Sequence, residues 1–290
     1  MILMKLVLVH NMNSKIKILM LLLAILSYKV QSQEAIDTAR FRAIYEYSYK
    51  TKPDQTEYAK TDLMYLDIGQ NTSKFYSRYK QIRDSIAVDE LSKGSPAFEI
   101  NEKMRGLPRG IPSVIYHLGR EDKKREYSGF SLVFVFYDEK SIIPEWNIKK
   151  DVKVIAGYNC QKATTNYLGR EWIVYYSPEI PINYGPWKLW GLPGLILEAT
   201  DSYNFFSYNL IGFESLQQTN PIDLIESSYI STKYEQKSKK TFQRIQKLYY
   251  TDNTQFMEVF LGAKLISATN ADGTKIEKKP PIPYIPLEPW

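Results

Sequence analysis

Few side chains in this chain have the chemistry of a catalytic or metal site. The 290 residues include one cysteine, Cys160, and two histidines, His10 and His117. The usual zinc site needs four Cys or His ligands, and a Ser-His-Asp triad needs a histidine base. His10 lies in a segment that we expect to be removed, so only His117 remains for either purpose. The composition therefore predicts no catalytic residue, no metal and no cofactor, and it favours a non-enzymatic role.

The remaining candidate groups are expected to be structural. Cys160 follows Tyr158 in a strand pattern, where a small apolar thiol is commonly buried. A reactive thiol would need a nearby cation, which Lys162 could supply from the same face. His117 also lies in a strand pattern, and the basic run at 123–125 is interpreted as a solvated turn. No acid–base pair is recognised from the spacing of the carboxylates Glu145, Glu179, Glu198 and Asp201.

The most distinctive sequence lies between residues 146 and 201. Cysteine, tryptophan and proline occur there in a fixed order that leads into a Gly-Leu-Pro-Gly-Leu-Ile run. The residues concerned are Cys160, Trp172, Pro178, Gly185, Pro186, Trp187, Gly191, Leu192, Pro193, Gly194, Leu195 and Ile196. This region strongly resembles the GLPGLI family, and the resemblance implies an exported bacterial envelope protein whose family has no established function. Trp190 departs from the family pattern, because a small residue is expected directly before the run.

Two interpretations of this motif remain open. Gly191, Pro193 and Gly194 can form a rigid bend, with positive φ at the glycines, that leads into a strand. Trp187 and Trp190 either pack within that structural corner or form the exposed lip of a ligand site. The structural corner is favoured because large aromatic side chains are usually buried. The apolar residues expected to enter the core are Leu192, Leu195 and Ile196.

The first 32 residues carry the pattern of a secretory signal peptide. A basic stretch at 12–17 precedes an apolar segment at 18–27, and the small residue Ser32 stands before the expected cut at Gln33. Residues 1–11 resemble an upstream start extension, and a buried N-terminal helix is the alternative interpretation. The apolar segment is shorter than the roughly 20 residues that cross a membrane. We therefore expect no membrane span in the mature chain, and a periplasmic or extracellular location with outer-membrane association left open.

Removal of this segment changes the charge of the chain. Residues 1–32 hold four of the 38 basic residues and none of the 32 acidic ones, so the net charge falls from +6 to +2. Nucleic-acid-binding domains usually carry a strongly basic patch. No nucleic-acid partner is expected, and the predicted partners are an apolar ligand or another envelope protein.

Alternation of apolar and polar residues predicts an antiparallel β-rich fold. Strands are predicted at 40–52, 63–68, 113–118, 131–137, 153–168, 171–176, 195–199 and 204–213. Hairpins are expected between the first two strands, around Gly169 and Arg170, and between the last two strands. A helical stripe runs from Phe75 through Tyr79 to Ile86, and a second helix is predicted at 238–263 with a break near 251–253. The predicted class is α+β: a curved, half-barrel-like antiparallel sheet with about two covering helices.

The predicted organisation is one GLPGLI-type domain at 33–277 followed by a proline-rich tail at 278–290. Five prolines limit the backbone hydrogen bonds that the tail can donate, so it should run extended. A disordered linker is one interpretation of it. The other is packing along the domain, because apolar side chains are interleaved with the prolines.

Three functions remain open at this stage. The leading one is a non-catalytic envelope protein that binds or carries an apolar or peptide-like ligand, by analogy with half-barrel lipoprotein carriers. The second is a structural accessory whose tail or exposed strand docks on an outer-membrane partner. The third is a hydrolase that uses carboxylates or His117. An aromatic cavity would favour the first, a free strand edge the second, and buried carboxylates with shifted pKa the third.

Overall fold

A computed structural model of the chain describes residues 35–225, 233–263 and 283–289. The predicted signal peptide at 1–32 lies outside these ranges. Within them, no helix is both long enough and apolar enough to cross a membrane. The strands are β1 (Asp37–Tyr49), β2 (Lys60–Ile68), β3 (Thr72–Ser77), β4 (Val114–Leu118), β5 (Lys123–Phe130), β6 (Val133–Lys140), β7 (Asn147–Ile155), β8 (Tyr158–Tyr167), β9 (Arg170–Ser177), β10 (Leu195–Asp201), β11 (Phe206–Ile222) and β12 (Glu235–Gln236). The helices are α1 (Arg78–Ser92), α2 (Ala97–Lys103), α3 (Lys239–Thr251) and α4 (Asn253–Leu261).

All twelve strands of the described ranges belong to one open, curved sheet built from two meanders. Its order is β12-β6-β5-β4-β3-β2-β1-β11-β10-β9-β8-β7. Strands β1 to β6 pair antiparallel in sequence order, as do β7 to β11. The two meanders meet where β1 pairs with β11, from Asp37 opposite Ile222 to Tyr49 opposite Phe206. The predicted β-rich α+β class, with its curved antiparallel sheet, is confirmed.

The main core lies on one face of the central strands. Alternate side chains of β1, including Ala43, Tyr45 and Tyr47, are buried, as the period-two pattern predicts. The Tyr45 hydroxyl donates a hydrogen bond of 2.7 Å to the carbonyl oxygen of Ile196. This bond fixes the first strand of the domain to the end of the Gly-Leu-Pro-Gly-Leu-Ile run.

The four described helices form two pairs. α1 begins after Ser77, whose side chain accepts a hydrogen bond from the backbone N–H of Lys80, and it packs on β2 and β3. α3 and α4 are separated at Asp252, where a break was predicted, and the Asp252 side chain caps α4 by accepting from Gln255 N–H. The apolar face of α3, which includes Phe242, packs on β5 and β6.

The prediction that a helix begins at Phe75 is wrong. Phe75 lies in β3, opposite Leu66 of β2 and Ile115 of β4. Pairing on both edges holds this segment extended, and the Ser77 cap delays the helix until Arg78. β3 shows no alternation of apolar and polar residues, so the helical pattern that follows it was wrongly extended back to Phe75.

The prediction that the basic run at 123–125 forms a solvated turn is wrong, because these residues lie in β5. The turn ends at Asp122, where φ is 48°. Arg125 pairs with Asp138 of β6 at 2.6 Å, and Lys124 is only 3% exposed, with its ammonium over the Trp190 ring. A carboxylate on the neighbouring strand and an aromatic face offset the cost of removing these cations from water.

The single strand predicted at 153–168 is in fact two strands. Ala156 and Gly157 have φ values of 49° and 85° and form a tight turn between β7 and β8. The next turn uses Leu168 and Gly169, at 48° and 79°, so Arg170 begins β9 instead of belonging to the turn. Two consecutive positive φ values match the twist of a two-residue hairpin, and non-glycine residues at the first position conceal the turn in the sequence.

Candidate functional site

A cavity of about 290 Å³ lies against one face of the sheet. Four of its lining side chains stand directly opposite one another on neighbouring strands: Tyr137, Glu126, Ile115 and Phe75. Residues paired directly across a sheet point to the same face. Strand register alone therefore aligns these four side chains, and Glu126 is the one acidic group in the row.

The rest of the lining is rich in aromatic rings. Tyr47 of β1 stacks on Tyr208 of β11 with ring centroids 4.4 Å apart. Helix α3 faces the sheet across the cavity and presents two amide side chains there. The lining residues of β1, β11 and α3 are Tyr47, Tyr49, Phe206, Tyr208, Phe242, Gln243, Gln246 and Tyr250.

Residues 283–289 complete the cavity wall and pack on the domain, as the second interpretation of the tail expects. Arg170 donates from Nε to the carbonyl oxygen of Leu287 at 2.8 Å, and from Nη2 to that of Pro286. Tyr284 stacks on Tyr250 of α3 with centroids 4.5 Å apart. Proline has no backbone N–H, so this segment lacks the donors of a full strand ladder, and the Arg170 side chain binds two of its carbonyl groups. The earlier residues of the predicted tail, at 278–282, lie outside the described ranges.

Lys188 stands at the centre of a buried ionic cluster beside the cavity, which we call the Lys188 cluster. Its ammonium lies 3.0 Å from Glu126 Oε2, 2.7 Å from Glu139 Oε1 and 3.1 Å from Glu288 Oε2. It also donates to the Tyr137 hydroxyl at 2.5 Å. Burial alone would lower the pKa of Lys188, but Tyr137 and the three carboxylates outweigh it and hold that pKa well above its usual value. The cluster is completed by Lys239, which pairs with Glu139 and Glu288.

A second buried group lies next to the Lys188 cluster. Lys124 contacts the Tyr167 hydroxyl at 3.0 Å, and burial lowers its pKa to about 7. The His117 ring lies 4.2 Å from the Trp190 ring, and its Nε2 is 2.8 Å from the Ser141 hydroxyl. Burial, followed by the Lys124 charge, lowers the pKa of His117 to about 4, so the ring is neutral at pH 7. His117 Nδ1 is buried without a hydrogen-bond partner among the described residues.

The two tryptophans proposed as a ligand lip occupy different places. Trp187 is 7% exposed, lines the cavity and lies 5.4 Å from the Trp172 ring, so it belongs to the corner and to the cavity wall at once. Trp190 lies outside the cavity lining; its N–H donates to the Ile142 carbonyl at 3.0 Å. The structure therefore brings Trp187 to the candidate site and places Trp190 over His117.

The glycines of the motif have separate reasons to be glycine. Gly191 has a φ of 93°, as expected, but Gly194 is not among the positive-φ residues. A Cβ on Gly194 would lie 2.1 Å from the backbone oxygen of Ser177, so close main-chain approach excludes a side chain there. A Cβ on Gly185 would lie 2.7 Å from the Ile196 side chain. The residues expected in the core, Leu192, Leu195 and Ile196, are buried.

The remaining motif residues support the same corner. Cys160 is buried, and burial raises the pKa of its thiol. The ring of Trp172 is fully buried in the main core. Pro178 follows the end of β9 beside Gly194, and the Pro186 carbonyl accepts from Leu189 N–H at 3.2 Å.

The carboxylates singled out from the sequence are dispersed and line no part of the cavity. Glu198 pairs with Lys153, Asp201 pairs with Arg170, Glu179 accepts from Asn159, and Glu145 is exposed. Over the described ranges, no set of three His, Cys, Asp or Glu side chains is placed to hold a metal ion. The acidic groups that do converge are Glu126, Glu139 and Glu288.

Sequence reasoning missed the Lys188 cluster. The β5–β6 register places Glu126 opposite Tyr137 and Glu139 two residues further along β6, whereas Lys188 and Glu288 come from distant connections. The one local signal is Lys188 itself, a charged residue between Trp187 and Leu189 in an apolar stretch. Such a residue is almost never buried unless it is paired, so its partners could be sought but not named.

Comparisons with known proteins identify one family model and similar solved structures. Residues 168–198, which include the Gly-Leu-Pro-Gly-Leu-Ile run, match the model of a family described as "Protein of unknown function (Porph_ging)". No curated protein matches the chain. Two solved structures of PNGF-II, in different crystal forms, are similar at 13% and 12% identity with TM-scores of 0.46 and 0.47. The alignments cover 73% of this chain but only 34% and 33% of PNGF-II, so the chain spans about a third of the length of those structures.

Proposed function

We propose that this protein is a non-catalytic binding protein that holds an apolar or peptide-like ligand between the sheet and α3. The observation that carries the proposal is the cavity of about 290 Å³, whose lining is mostly apolar and rich in aromatic rings. Small-molecule sites are typically concave and mostly apolar, with a few convergent polar groups that orient the ligand. Here the polar lining groups include Glu126, Glu288, the two glutamines of α3 and the two lysines Lys50 and Lys52.

The proposal includes export and membership of the GLPGLI family. It is supported by the ordered residues from Cys160 to Ile196 and by the basic and apolar stretches at 12–27. The protein would act in the periplasm or outside the cell, in association with the outer membrane if its ligand or partner lies there. Export predicts cleavage near Ser32, which intact-mass analysis of protein from the cell envelope would detect. A mature chain that still begins at Met1 or Met12 would contradict export.

A structural accessory is the second candidate, and the edge of the sheet favours it. β7 is the last strand of the sheet and pairs only with β8 in the described part of the chain. Val152 and Val154 of this strand are 73% and 67% exposed. A free strand edge with apolar side chains can accept a strand from a partner.

A carboxylate-based hydrolase receives less support from the site. The carboxylates that converge on Lys188 are ion-paired, and its charge helps to lower the pKa of Glu139 against the opposing effect of burial. A general acid at neutral pH needs a raised pKa. The Lys188 cluster instead lowers the pKa of Glu139, which favours its ionised form.

Filling the cavity tests the proposed binding function. Gln246 lines the cavity from α3, whereas Arg244 lies on the exposed side of the same helix. We expect the neutral dye prodan to bind the wild-type protein saturably with a blue-shifted emission. Gln246→Trp should weaken this binding by about tenfold or more, because the indole takes the space of the ligand. Arg244→Trp adds the same ring outside the cavity and should bind the dye as the wild type does.

Melting temperatures of both variants serve as the folding control. Equal dye binding by Gln246→Trp and the wild type would show that the dye does not use this cavity. Failure of the wild-type protein to bind prodan, lipid or peptide would contradict the binding function and leave the accessory function as the remaining candidate.

A further inference from the structure

Glu126 is the polar group best placed to select a ligand for the cavity. It lies in the middle of β5, is 9% exposed and lines the cavity between Ile115 and Tyr137. Its Oε2 accepts from the Tyr137 hydroxyl at 2.9 Å and lies 3.0 Å from Lys188 Nζ. No donor within the described ranges reaches its other oxygen, Oε1. A buried carboxylate therefore offers an unused acceptor to whatever enters the cavity.

The charge around Glu126 is not balanced by the lysines of the Lys188 cluster. Glu126, Glu139 and Glu288 supply three carboxylates, and Lys188 and Lys239 supply two ammonium groups. Tyr137 stays neutral because burial holds its pKa well above the usual range. The neighbouring Lys124 has a pKa of about 7 and so adds only part of a charge at neutral pH. This end of the cavity is net negative in a low-dielectric surrounding, which favours a cation.

Aromatic rings around Glu126 add to this preference. The Lys188 ammonium lies 5.0 Å from the ring centroid of Tyr137 and 5.8 Å from that of Trp187. Each of these two rings therefore already makes a cation–π contact. Both rings line the cavity, and Phe242 packs against Tyr137 at 4.7 Å. Ring faces with an adjacent carboxylate suit an ammonium group on an apolar body.

The cavity lining carries positive as well as negative charge. Its cationic lining residues, Lys50 and Lys52, follow β1, whereas Glu126 lies in β5. Strands β2, β3 and β4 separate β1 from β5 along the sheet, so the cationic and acidic lining residues come from different parts of the wall. An ammonium group is drawn to Glu126, and an anionic group would be drawn to the lysines.

We infer that the cavity binds primary amines carried on an aromatic or apolar body, with the ammonium group on Glu126 and the body against Tyr137, Phe75 and Trp187. This inference rests on the proposed function and specifies its ligand class. The free amino end of an apolar peptide belongs to this class, as do simple arylalkylamines.

Three probes of matched shape test the inference on the wild-type protein. Phenethylamine, 2-phenylethanol and hydrocinnamate carry a cationic, a neutral and an anionic group on the same phenyl ring. Calorimetric titration at pH 7.5 should give phenethylamine an affinity about tenfold or more above that of 2-phenylethanol, because it gains a charge-assisted hydrogen bond. Equal affinities for amine and alcohol would overturn the amine inference and leave the proposed function standing. Tightest binding of hydrocinnamate, or binding of none of the three, would also overturn it, while the titration with prodan decides the proposed function separately.

Two matched variants locate the preference. Glu126→Gln keeps the shape and removes the charge, and it should abolish the preference for the amine while retaining binding of 2-phenylethanol. Glu198→Gln removes a carboxylate paired with Lys153 at 2.7 Å outside the cavity, and it should keep the preference. A preference for the amine that survives in folded Glu126→Gln would overturn the assignment to Glu126. If that variant does not fold, the comparison of the three probes on the wild-type protein still decides the inference.

Discussion

The buried charge of Lys188 positions the carboxylate of Glu126. Its side chain is fully buried, and ion pairs of this kind rarely add net stability because desolvation offsets their attraction. The consequence at Lys188 is geometric. By holding Oε2 of Glu126, Lys188 and Tyr137 leave Oε1 as the only oxygen of that carboxylate available to a ligand.

Gly194 provides a stability prediction at the scale of one residue. We expect Gly194→Ala to lower the free energy of unfolding by about 1–3 kcal/mol or more, because its Cβ would meet the Ser177 carbonyl oxygen at 2.1 Å. Gly212→Ala is the matched control in β11, since its Cβ would meet only the Ile44 side chain, at 3.3 Å. That side chain can shift, so the control should change stability by under about 1 kcal/mol. Urea unfolding of both variants checks the difference, and equal effects would contradict the close-approach explanation.

At the scale of elements, the tail segment behaves as an additional strand-like element held by side chains. Ile285 is buried, while Arg170 and the Lys188 cluster bind its carbonyl groups and Glu288. An extended segment rich in proline cannot join a sheet through its own N–H groups. Burial of Ile285 and the hydrogen bonds from Arg170 hold the segment in place of backbone hydrogen bonds to a strand.

Removal of the tail tests this description. A chain that ends after Lys279 should lose roughly 3–6 kcal/mol of unfolding free energy, because it no longer buries Ile285 and Leu287 and Arg170 and Lys188 lose their contacts with this segment. Ile285→Ala in the full chain should lose about 2–4 kcal/mol through its cavity alone. Thermal and urea unfolding measure both. Full stability of the truncated protein would show that the tail does not contribute to the fold.

The elements differed in how far their sequences reveal them. The alternation in β1 and the apolar face of α3 are local patterns, and both predictions hold because each segment buries one face. β3 is buried on both faces and therefore shows no alternation, so the helical stripe after it was extended into it. β5 begins with three basic residues whose partners, such as Asp138, lie on another strand, and no local pattern reports them.

At the scale of the whole molecule, the class of the fold could be predicted but the candidate site could not. Period-two segments and two helical stretches are sufficient to indicate a β-rich α+β protein. The site depends on register and on distant connections: Glu126 faces Tyr137 across a hairpin, and both meet Lys188 and Glu288 from remote parts of the chain. The prediction of an aromatic binding surface follows from composition, whereas its acidic end follows only from the folded structure.

The junction of the two meanders has a consequence for the order of folding. Within β1 to β6, each strand pairs with the next in the sequence and can close early, but the second edge of β1 pairs only with β11, from Phe206 to Ile222. Pairing over such a long sequence separation is intrinsically slow, because the entropy of closing the loop is lost before contacts compensate for it. Until then β1 presents an open edge to other chains, and unpaired edges of partly folded chains promote aggregation. A chain of this protein is therefore most prone to aggregation after β1 to β6 have paired and before β11 docks, and a chaperone that shields the β1 edge would act in that interval.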